Sequence, residues 1–367
     1  MESAFLGFST NSNKTLYPHF FHLSGIHPEL PKYEVLSVLE SESYSHQLLK
    51  KSNQCLILKC SKEGAYLAAE RAAYCKRSVK ILYKAEVAEE PVTKLAEKII
   101  RNIDFENLMS KQKSFLVRVY RIGSTHCEFN SMDLEVAIGK EIWAKMKGTC
   151  KVDTKKPDIT FVLLFTQDEL LFGEEIYARR KGSFVSRRPD KRPYFKPGTL
   201  EPRFARMMAN LSKANTKNFL LDPFCGPGGI IVEAALMNCN VVGLDIDKRM
   251  VKGSIRNLAH YTPDSQYHIF VSDARNLPFH NNISSIATDP PYGRSTSTYG
   301  KEIEDLLEQF FSEASNALVT GGVLAIGMLD EIPLEDIAKK YRFNLSIFEK
   351  IYIHKSLTRR VGVFVKK

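Results

Sequence analysis

Two short loops, each at the end of an apolar run, restrict the folds open to this chain more than any other feature. The first spans residues 221–229 (LDPFCGPGG); it follows the apolar residues 218–221 and opens a periodic apolar segment at 229–239. This order predicts a strand, a glycine turn and a helix. Glycines let the backbone approach a ligand closely, and the free N–H groups at a helix N-terminus attract polar or anionic groups. The first loop is therefore predicted to hold a ligand.

A carboxylate follows the next apolar run. Residues 240–244 (NVVGL) lead into Asp245, about 20 residues beyond the turn, where a dinucleotide-type fold places the acid that accepts ribose hydroxyls. Asp247 is a rival for this role, but we interpret it as the N-cap of the following helix because Asp245 stands at the strand end. Strand, loop, helix, strand and acid in this order fit either a nicotinamide site or an S-adenosylmethionine site.

The second loop, residues 288–293 (TDPPYG), decides between the two cofactors. It follows residues 285–288 (SIAT), which we interpret as another strand of the same unit, and its residues resemble the motif with which S-adenosylmethionine-dependent amino-methyltransferases hold an exocyclic nitrogen of a base. Pro290 and Pro291 restrict the φ angles of the loop, so the carboxylate of Asp289 and the backbone carbonyls are held facing one point. Tyr292 offers a flat surface for a base. The alternative is an ordinary strand end followed by a rigid Pro-Pro turn.

The chemistry of base methylation explains these residue types. An exocyclic base amine is a poor nucleophile because its lone pair is delocalised into the ring. Acceptors on its two N–H bonds, from Asp289 and the Pro290 carbonyl, would turn the lone pair toward the sulfonium and stabilise the positive charge that develops on nitrogen. A strong base is not required, because the amino group becomes acidic as the new bond forms. Asp289 is expected to accept the proton or pass it to water.

Length, cysteine usage and charge limit the class of protein. The chain has 367 residues, enough for two or three domains, and its seven cysteines include no Cys-x-x-Cys pair, which argues against a zinc ribbon and a disulfide framework. We expect no metal site. No run of residues approaches the length of a membrane span or forms a signal peptide, so a soluble, cytoplasmic protein is expected. The net charge of +10 favours a polyanionic partner.

The N-terminal half is predicted to hold two small domains. Residues 1–90 alternate strand and helix patterns, which indicates an α+β domain of the ferredoxin-like kind. Residues 91–179 read as helix, strand, helix and two strands, and in this order they resemble the THUMP domain, an α/β domain of RNA-modifying enzymes. Arg118 and Arg121 lie on an otherwise apolar strand, where basic side chains are placed to meet phosphate. Ile142 and Trp143 are interpreted as core residues of the long helix.

A basic linker, residues 180–196, joins this half to the rest of the chain. Its two prolines, Pro189 and Pro193, and Pro197 directly after it are expected to keep it extended. Positive charge is concentrated here between a predicted RNA domain and a predicted base-modifying domain, so we favour phosphate contact over a solvated linker without a partner. The candidate RNA-binding residues of this stretch, with the residue that precedes it, are Arg179, Arg180, Lys181, Arg187, Arg188, Lys191 and Arg192.

Residues 197–367 alternate strands and helices, which predicts a mostly parallel α/β sheet with right-handed crossovers. The last two strands have no helix between them, which predicts one antiparallel edge strand. Seven strands in this order resemble the Rossmann-like fold of S-adenosylmethionine-dependent methyltransferases. Each acid in the loops has an alternative role as a helix cap or a salt-bridge partner. The cofactor-binding residues implied by the resemblance are Asp222, Phe224, Cys225, Gly226, Gly228, Asp245, Ile246, Asp273 and Ala274.

Four segments are more specific together than any one alone: residues 23–31 (LSGIHPELP), 192–206 (RPYFKPGTLEPRFAR), 222–229 (DPFCGPGG) and 288–293 (TDPPYG). In this combination the chain resembles the archaeal tRNA guanosine-10 N2-methyltransferase family over most of its length. One departure is Pro227, where threonine is expected in the turn of this family. Proline supplies neither a hydroxyl nor an N–H group, so the change is expected to act on cofactor affinity while the turn survives.

This resemblance implies an enzyme that transfers a methyl group from S-adenosylmethionine to the 2-amino group of guanosine 10 in tRNA. The product is N2-methylguanosine and, after a second transfer, N2,N2-dimethylguanosine. The paired base would have to be flipped out of its helix into the pocket over Tyr292. tRNA is the expected partner, a small activator subunit known for related enzymes is a second candidate partner, and neither DNA nor a membrane is expected. The alternatives are another guanosine in tRNA or ribosomal RNA, an adenine N6-methyltransferase acting on DNA, and a catalytically inactive RNA-binding scaffold.

Overall fold

The α/β architecture divides into two compact units. The computed structural model describes residues 15–87, 90–109, 113–123, 129–167, 169–291, 299–354 and 357–367. The first unit holds the described residues up to Ile26 together with Ser45–Glu70 and Cys75–Arg179; the second holds His27–Tyr44, Arg71–Tyr74 and Arg180–Lys367. Among the helices within those ranges, none is both long and apolar enough to cross a membrane.

The secondary-structure elements are numbered in chain order. The strands are β1 Tyr17–Leu23, β2 His46–Ser52, β3 Cys55–Cys60, β4 Cys75–Glu86, β5 Ser114–Arg121, β6 Lys151–Val152, β7 Ile159–Phe165, β8 Glu169–Ala178, β9 Phe219–Asp222, β10 Asn240–Asp245, β11 Tyr267–Val271, β12 Ile283–Thr288, β13 Leu318–Leu329, β14 Phe343–His354 and β15 Leu357–Lys366. The helices are α1 Leu30–Ser41, α2 Lys62–Arg71, α3 Val92–Ile100, α4 Phe105–Leu108, α5 Ser131–Lys145, α6 Pro202–Leu211, α7 Gly229–Ala235, α8 Lys248–Tyr261, α9 Tyr299–Ala317 and α10 Leu334–Lys340.

One continuous sheet forms the first unit, in the strand order β2-β3-β1-β4-β8-β7-β5-β6. Its first four strands pair antiparallel in the order of a ferredoxin-like fold, which confirms the predicted class of this region. The sequence pattern did not predict β2. Its residues are exposed or half-buried on both faces, so apolar and polar residues do not alternate along it.

The core of residues 92–172 lies between helices and sheet. α3 and α5 pack together, and their buried side chains, such as Leu95 and Ile138, share one core with Phe161 of β7. Ile142 is fully buried, as predicted, but the prediction that Trp143 is a core residue was wrong, because its side chain is 52% exposed. Residues 142 and 143 point about 100° apart on a helix, so both cannot lie on one narrow buried stripe.

A seven-stranded sheet forms the centre of the described part of the second unit, in the order β11-β10-β9-β12-β13-β15-β14. β11, β10, β9, β12 and β13 run parallel. Neighbouring residues of β9 enter different cores, Leu220 on one face and Leu221 on the other. Both faces are therefore covered by helices, as a parallel sheet requires, and the predicted methyltransferase-type architecture is confirmed.

The predicted position of the antiparallel strand was wrong by one place. β15 is antiparallel, but it lies between β13 and β14, and β14 forms the edge. The sequences of the two strands explain this order. Val361, Val363 and Phe364 of β15 are all buried, whereas β14 exposes Asn344, Leu345 and Ser346. A near-continuous apolar run suits an interior strand, and exposed residues suit an edge.

Two segments from the N-terminal region belong to the second unit. α1 packs on α6, and the buried carboxylate of Glu34 accepts hydrogen bonds from the backbone N–H groups of Ala73 at 2.8 Å and Tyr74 at 3.2 Å. Asn210 of α6 donates to the same carboxylate at 2.8 Å. Arg71 donates to the Ala214 carbonyl at 2.6 Å. These buried polar contacts hold residues 27–44 and 71–74 against the helical layer of the second unit.

Candidate active site

The site is built where the parallel strands end. β9 ends at Asp222, β10 at Asp245 and β12 at Thr288, and these three strands are neighbours in the sheet. Carboxyl ends of parallel strands lie at the same edge, so the loops that follow them converge there.

The glycine turn has the backbone geometry that the sequence predicted. Gly226 has φ +52° and Gly228 has φ +87°, a region that L-residues with side chains rarely adopt. A Cβ atom on Gly228 would lie 2.8 Å from Oγ of Ser254, so the turn also packs closely on α8. The N–H of the buried Cys225 donates to the Leu244 carbonyl at 2.8 Å, which fixes the turn beside β10.

Pro227 is tied to α8 through Asn257. The buried side-chain amide of Asn257 donates to the Pro227 carbonyl at 2.8 Å and to the Tyr194 carbonyl at 2.9 Å, and it accepts from the Tyr194 N–H at 2.9 Å. The turn therefore keeps a defined backbone path although proline replaces the threonine that we expected there.

Asp245 lies at the mouth of the turn. Its Oδ2 accepts from the Gly226 N–H at 2.9 Å and its Oδ1 from the Asp247 N–H at 2.8 Å. A carboxylate has about four acceptor positions, so capacity remains for ribose hydroxyls. The next residue, Ile246, is 68% exposed and offers an apolar surface to a flat ring. Asp247 accepts from the Arg249 N–H and is the N-cap of α8, which confirms its predicted role.

Asp222 is buried at the base of the site, and Phe224 packs in the turn above it. Oδ1 of Asp222 accepts from the Thr288 hydroxyl at 2.7 Å and from the Phe224 N–H at 3.2 Å. Burial raises the pKa of this carboxyl from 3.8 to about 7, and the nearby charges of Asp289 and Asp245 act in the same direction. Asp222 is thus a carboxylate that a bound cation would stabilise.

Asp273 follows β11, and its described contacts are those of an ion pair. Its carboxylate accepts from Nε of Arg275 at 3.0 Å and from Nη2 at 2.6 Å, and this contact lowers the pKa of Asp273. The Ala274 side chain is buried beside it. The expected contacts of both residues with adenine stay a prediction.

Asp289 begins the loop that follows β12. Its side chain is 12% exposed; Pro290 is buried, Pro291 is exposed, and Tyr292 lies outside the described residues. Nη2 of Arg359, at the start of β15, is 3.6 Å from Oδ2 of Asp289. Sequence reasoning missed Arg359, because an arginine in an apolar strand 70 positions away carries no local pattern that links it to the loop.

The charge of this edge fits S-adenosylmethionine. The charges of Asp245 and Asp289 both act on the carboxyl of Asp222, so each of these two carboxylates lies near Asp222. The cofactor carries positive charge on its sulfonium and its α-ammonium group, and clustered carboxylates stabilise cations. The open space beside Gly226, where a Cβ atom would meet nothing within 4 Å, leaves room for close approach to the backbone.

The basic linker is folded rather than extended, contrary to the prediction. Two 3-10 turns, Val185–Arg187 and Pro189–Lys191, shape it. Arg187 donates to the fully buried carboxylate of Glu233 at 2.7 Å, and Arg206 of α6 donates to the same carboxylate at 3.0 Å. Arg192 is only 6% exposed. Prolines here begin and bound short turns, because a fixed φ near −65° suits a 3-10 turn as well as an extended chain.

The remaining candidate RNA-binding residues differ in their exposure. Arg180, Lys181, Arg188 and Lys191 are exposed in the second unit. In the first unit, Arg179 donates to the carbonyls of Cys75, Ala69 and Glu70. Arg118 pairs with Glu135 at 2.8 Å, and Arg121 donates to Ser131 and to the Phe129 carbonyl. Arg118 and Arg179 are half-buried, and Arg121 is exposed but donates within its own unit, so the four exposed linker residues are the stronger candidates.

Known proteins resemble this chain in sequence and in fold. A methyltransferase domain described as RMKL-like matches residues 189–360, and a THUMP domain matches residues 94–172. A tRNA (guanine(10)-N2)-dimethyltransferase of Methanothermobacter thermautotrophicus is 34% identical over 341 residues, which are 93% of this chain and 97% of that protein. The protein of the same name from Methanocaldococcus jannaschii is 30% identical over 364 residues, 94% and 98% of the two chains. The crystal structure of TrmN from Thermus thermophilus covers 96% of this chain and 100% of its own, with a TM-score of 0.53 at 22% identity, which shows a shared fold.

Proposed function

Since this chain belongs to the family of tRNA (guanine(10)-N2)-dimethyltransferases, we propose that it methylates the 2-amino group of guanosine 10 in tRNA. It is an S-adenosylmethionine-dependent tRNA (guanine-N2)-methyltransferase. The position within tRNA and the number of methyl groups rest on the names of these relatives. The products are N2-methylguanosine and, after a second round, N2,N2-dimethylguanosine.

The observation that carries this function is the placement of Asp289. It follows β12, next in the sheet to β9, whose last residue Asp222 is joined to Thr288 by a hydrogen bond. The base-binding loop and the cofactor turn are therefore held together at the ends of two hydrogen-bonded strands. When bound, S-adenosylmethionine supplies an electrophilic methyl group.

Asp289 has two tasks in the proposed mechanism. Its carboxylate and the Pro290 carbonyl accept the two N–H bonds of the guanine amine, which orients the nitrogen lone pair and stabilises the developing positive charge. The alkylated amine is acidic, so Asp289 then accepts the released proton or passes it to water. Asp222, Asp245 and the glycine turn keep the cofactor cations and ribose in place.

Recognition of tRNA is assigned to the exposed cations and the THUMP domain. Arg180, Lys181, Arg188 and Lys191 are available to phosphates, and such contacts position RNA without reading its sequence. Guanosine 10 is paired in folded tRNA, so it has to be flipped out at a cost of a few kcal/mol. Neither DNA nor a membrane is part of this proposal.

The edge strand β11 supports the proposal of a small activator subunit. β11 is the outermost strand of its sheet and exposes Phe270 by 52% and Val271 by 54%, with His268 stacked on Phe270. An exposed apolar edge is a template for pairing with a strand of another chain. The enzyme and its activator subunit are assigned to the cytoplasm. Thiols stay reduced in that compartment, which suits the buried free cysteines of this chain: Cys55, Cys60, Cys75, Cys150, Cys225 and Cys239.

The test is transfer of a labelled methyl group. Purified protein is incubated with unmodified tRNA and methyl-labelled S-adenosylmethionine, and the labelled nucleoside is identified after digestion. We expect labelled N2-methylguanosine or its dimethyl form, absence of label in a tRNA with another base at position 10, and loss of label with Asp289→Ala. Asp330→Ala is the matched control, since Asp330 follows β13 at the same edge and pairs with Arg360 and Lys350.

Other outcomes point to the alternatives. Labelled N6-methyladenosine would move the enzyme to the adenine branch. Label at another guanosine would keep the chemistry and reject the position. Tight binding of S-adenosylmethionine and tRNA without transfer, both with and without a candidate activator subunit, would indicate an inactive scaffold.

A further inference from the structure

Arg359 is a charged group of the active site that the loop motifs do not account for. Its guanidinium and the carboxylate of Asp289 are nearly buried, with side chains 11% and 12% exposed. Arg359 reaches this position because β15 runs antiparallel and starts at the edge where the parallel strands end. In register it lies opposite Leu329, the last residue of β13.

The surroundings of Arg359 hold its guanidinium in place without a short hydrogen bond to Asp289. The guanidinium carbon lies 5.1 Å from the centre of the Phe204 ring, within the range of a cation–π contact. The separation of 3.6 Å between Nη2 of Arg359 and Oδ2 of Asp289 is longer than a charge-assisted hydrogen bond of about 2.7–2.9 Å. The pair thus presents an acceptor and a donor side by side.

Guanine has the complementary edge. Its 2-amino group and N1–H are donors, and O6 on the same edge is an acceptor. N1–H lies between the amine and O6. If the two oxygens of Asp289 accept from the amine and from N1–H, a donor beside Asp289 on the same edge faces O6. Enzymes that flip a base read it through hydrogen bonds to this edge. We propose that Arg359 donates to O6 of the acceptor base and thereby contributes to the recognition of guanine; this inference rests on the proposed function.

In the orientation that guanine takes, adenine would lose the contacts with both residues. It has no 2-amino group for Asp289, and it carries an amino group where guanine carries O6, so a donor would face the buried guanidinium. A site built to bond a polar group discriminates strongly against an analogue that leaves its buried partner unpaired. Arg359 would therefore act in base selection, and Asp289 in orientation of the amine.

The test compares two acceptor bases in four enzymes. tRNA is assembled from synthetic fragments with guanosine or 6-thioguanosine at position 10; the analogue keeps the 2-amino group and N1–H but replaces O6 with sulfur, a weak acceptor. kcat/KM for N2 methylation of each is measured with the wild type, Arg359→Met, Arg359→Lys and Arg360→Met. Arg360 is the matched control, since it is the next residue of β15 and pairs with Asp330.

The readout is the ratio of the two kcat/KM values. The wild type and Arg360→Met are expected to prefer guanosine by about ten- to a hundred-fold, and Arg359→Met is expected to bring the ratio close to one. Arg359→Lys keeps the charge but not the planar fork, so its ratio is expected to fall several-fold. Melting curves and S-adenosylmethionine affinity identify variants that fail to fold, and the lysine variant then carries the test.

Three outcomes would overturn the inference. A ratio unchanged in Arg359→Met, with both rates reduced, would mean that Arg359 only positions Asp289 or contacts a phosphate. A wild-type enzyme that methylates guanosine and 6-thioguanosine equally would reject base selection through O6 and leave the proposed function intact. Absence of methyl transfer to guanosine 10 by the wild type would reject the proposed function and this inference with it.

Discussion

The Thr288 hydroxyl donates to Oδ1 of Asp222 across 2.7 Å, and the two side chains are 0% and 2% exposed. This bond joins the last residue of β12 to the last residue of β9. It is one of the two contacts that lower the pKa of a carboxyl which burial raises to about 7. The state of Asp222, and with it the charge offered to the cofactor, therefore depends on the residue that precedes the base-binding loop.

Replacing Thr288 is expected to weaken binding of S-adenosylmethionine. Thr288→Val removes the donor, so the pKa of Asp222 rises further and less carboxylate is present at pH 7. A hydrogen bond to a charged group contributes about 1.5–3 kcal/mol, so we expect a loss of roughly ten-fold or more in affinity at pH 7. Titration calorimetry from pH 6 to 9 should show affinity recovering at the alkaline end. Thr288→Ser, which keeps the hydroxyl, is the control; equal affinities of the two variants would contradict the prediction.

Asp222→Asn is expected to stabilise the cofactor-free protein above pH 7. The pKa of Asp222 is raised in the folded state, so between pH 3.8 and about 7 the folded protein binds more protons than the unfolded chain. The free energy of unfolding therefore falls as pH rises through this window. The asparagine variant lacks this slope, keeps an oxygen for Thr288, and loses cofactor affinity. Melting temperatures from pH 5 to 8 check this.

Asp247 provides a control for that experiment, because its replacement is expected to change the melting temperature in the opposite direction. The side chain of Arg249 lowers the pKa of Asp247 to about 2, so its contribution to stability is present above pH 3.8 and is lost as pH falls toward 2. Asp247→Asn is thus expected to lower the melting temperature at neutral pH. A destabilised Asp222→Asn protein with an unchanged pH slope would show that Asp222 is ionised without penalty.

The exposed linker cations are expected to set the salt dependence of tRNA binding. Arg188→Gln with Lys191→Gln removes two charges, and each lost phosphate contact reduces the slope of log K against log salt by about 0.7–0.9. Lys339→Gln with Lys340→Gln on α10 is charge-matched, and in each pair one cation has an acidic neighbour, Asp190 or Glu308. Filter binding measures the tRNA affinity of the two double variants from 50 to 200 mM salt, which is roughly the range over which such contacts weaken. Equal slopes in both doubles would argue against the linker surface.

The methyltransferase sheet could be predicted from sequence because its signals are local. Most strands of residues 219–329 contain a short apolar segment, and the two loops carry residues whose backbone conformation is restricted or unusual, such as Gly228 at φ +87° and Pro290. The N-cap at Asp247 is equally local. The order of β14 and β15 is not local, since it depends on which strand buries more apolar surface in the finished sheet.

The contacts that sequence reasoning could not supply join distant parts of the chain. Glu34 and Asn210 are 176 residues apart, Arg187 and Glu233 are 46 apart, and Arg359 and Asp289 are 70 apart. A buried polar group has to find a partner, but the sequence does not say which one. For this reason the sequence did not distinguish the arginines that attach the basic linker to the second unit from its exposed cations, whereas the structure does.

Asn257 is expected to couple the linker to the cofactor turn. Its buried amide bonds the Pro227 carbonyl and both backbone groups of Tyr194, so Asn257→Ala leaves these groups without their partner and should destabilise the protein by about 2–4 kcal/mol. The released turn should also bind S-adenosylmethionine more weakly. Gly253→Ala is the matched variant, because a Cβ atom there would lie 2.2 Å from the Tyr194 ring and would displace that residue while leaving the bond to Pro227 in place. Denaturant titration measures the stability of both variants, and calorimetry measures their affinity for S-adenosylmethionine. Loss of affinity in Asn257→Ala alone would mean that the released turn weakens binding. Loss of affinity in both variants would mean that displacement of Tyr194 weakens it.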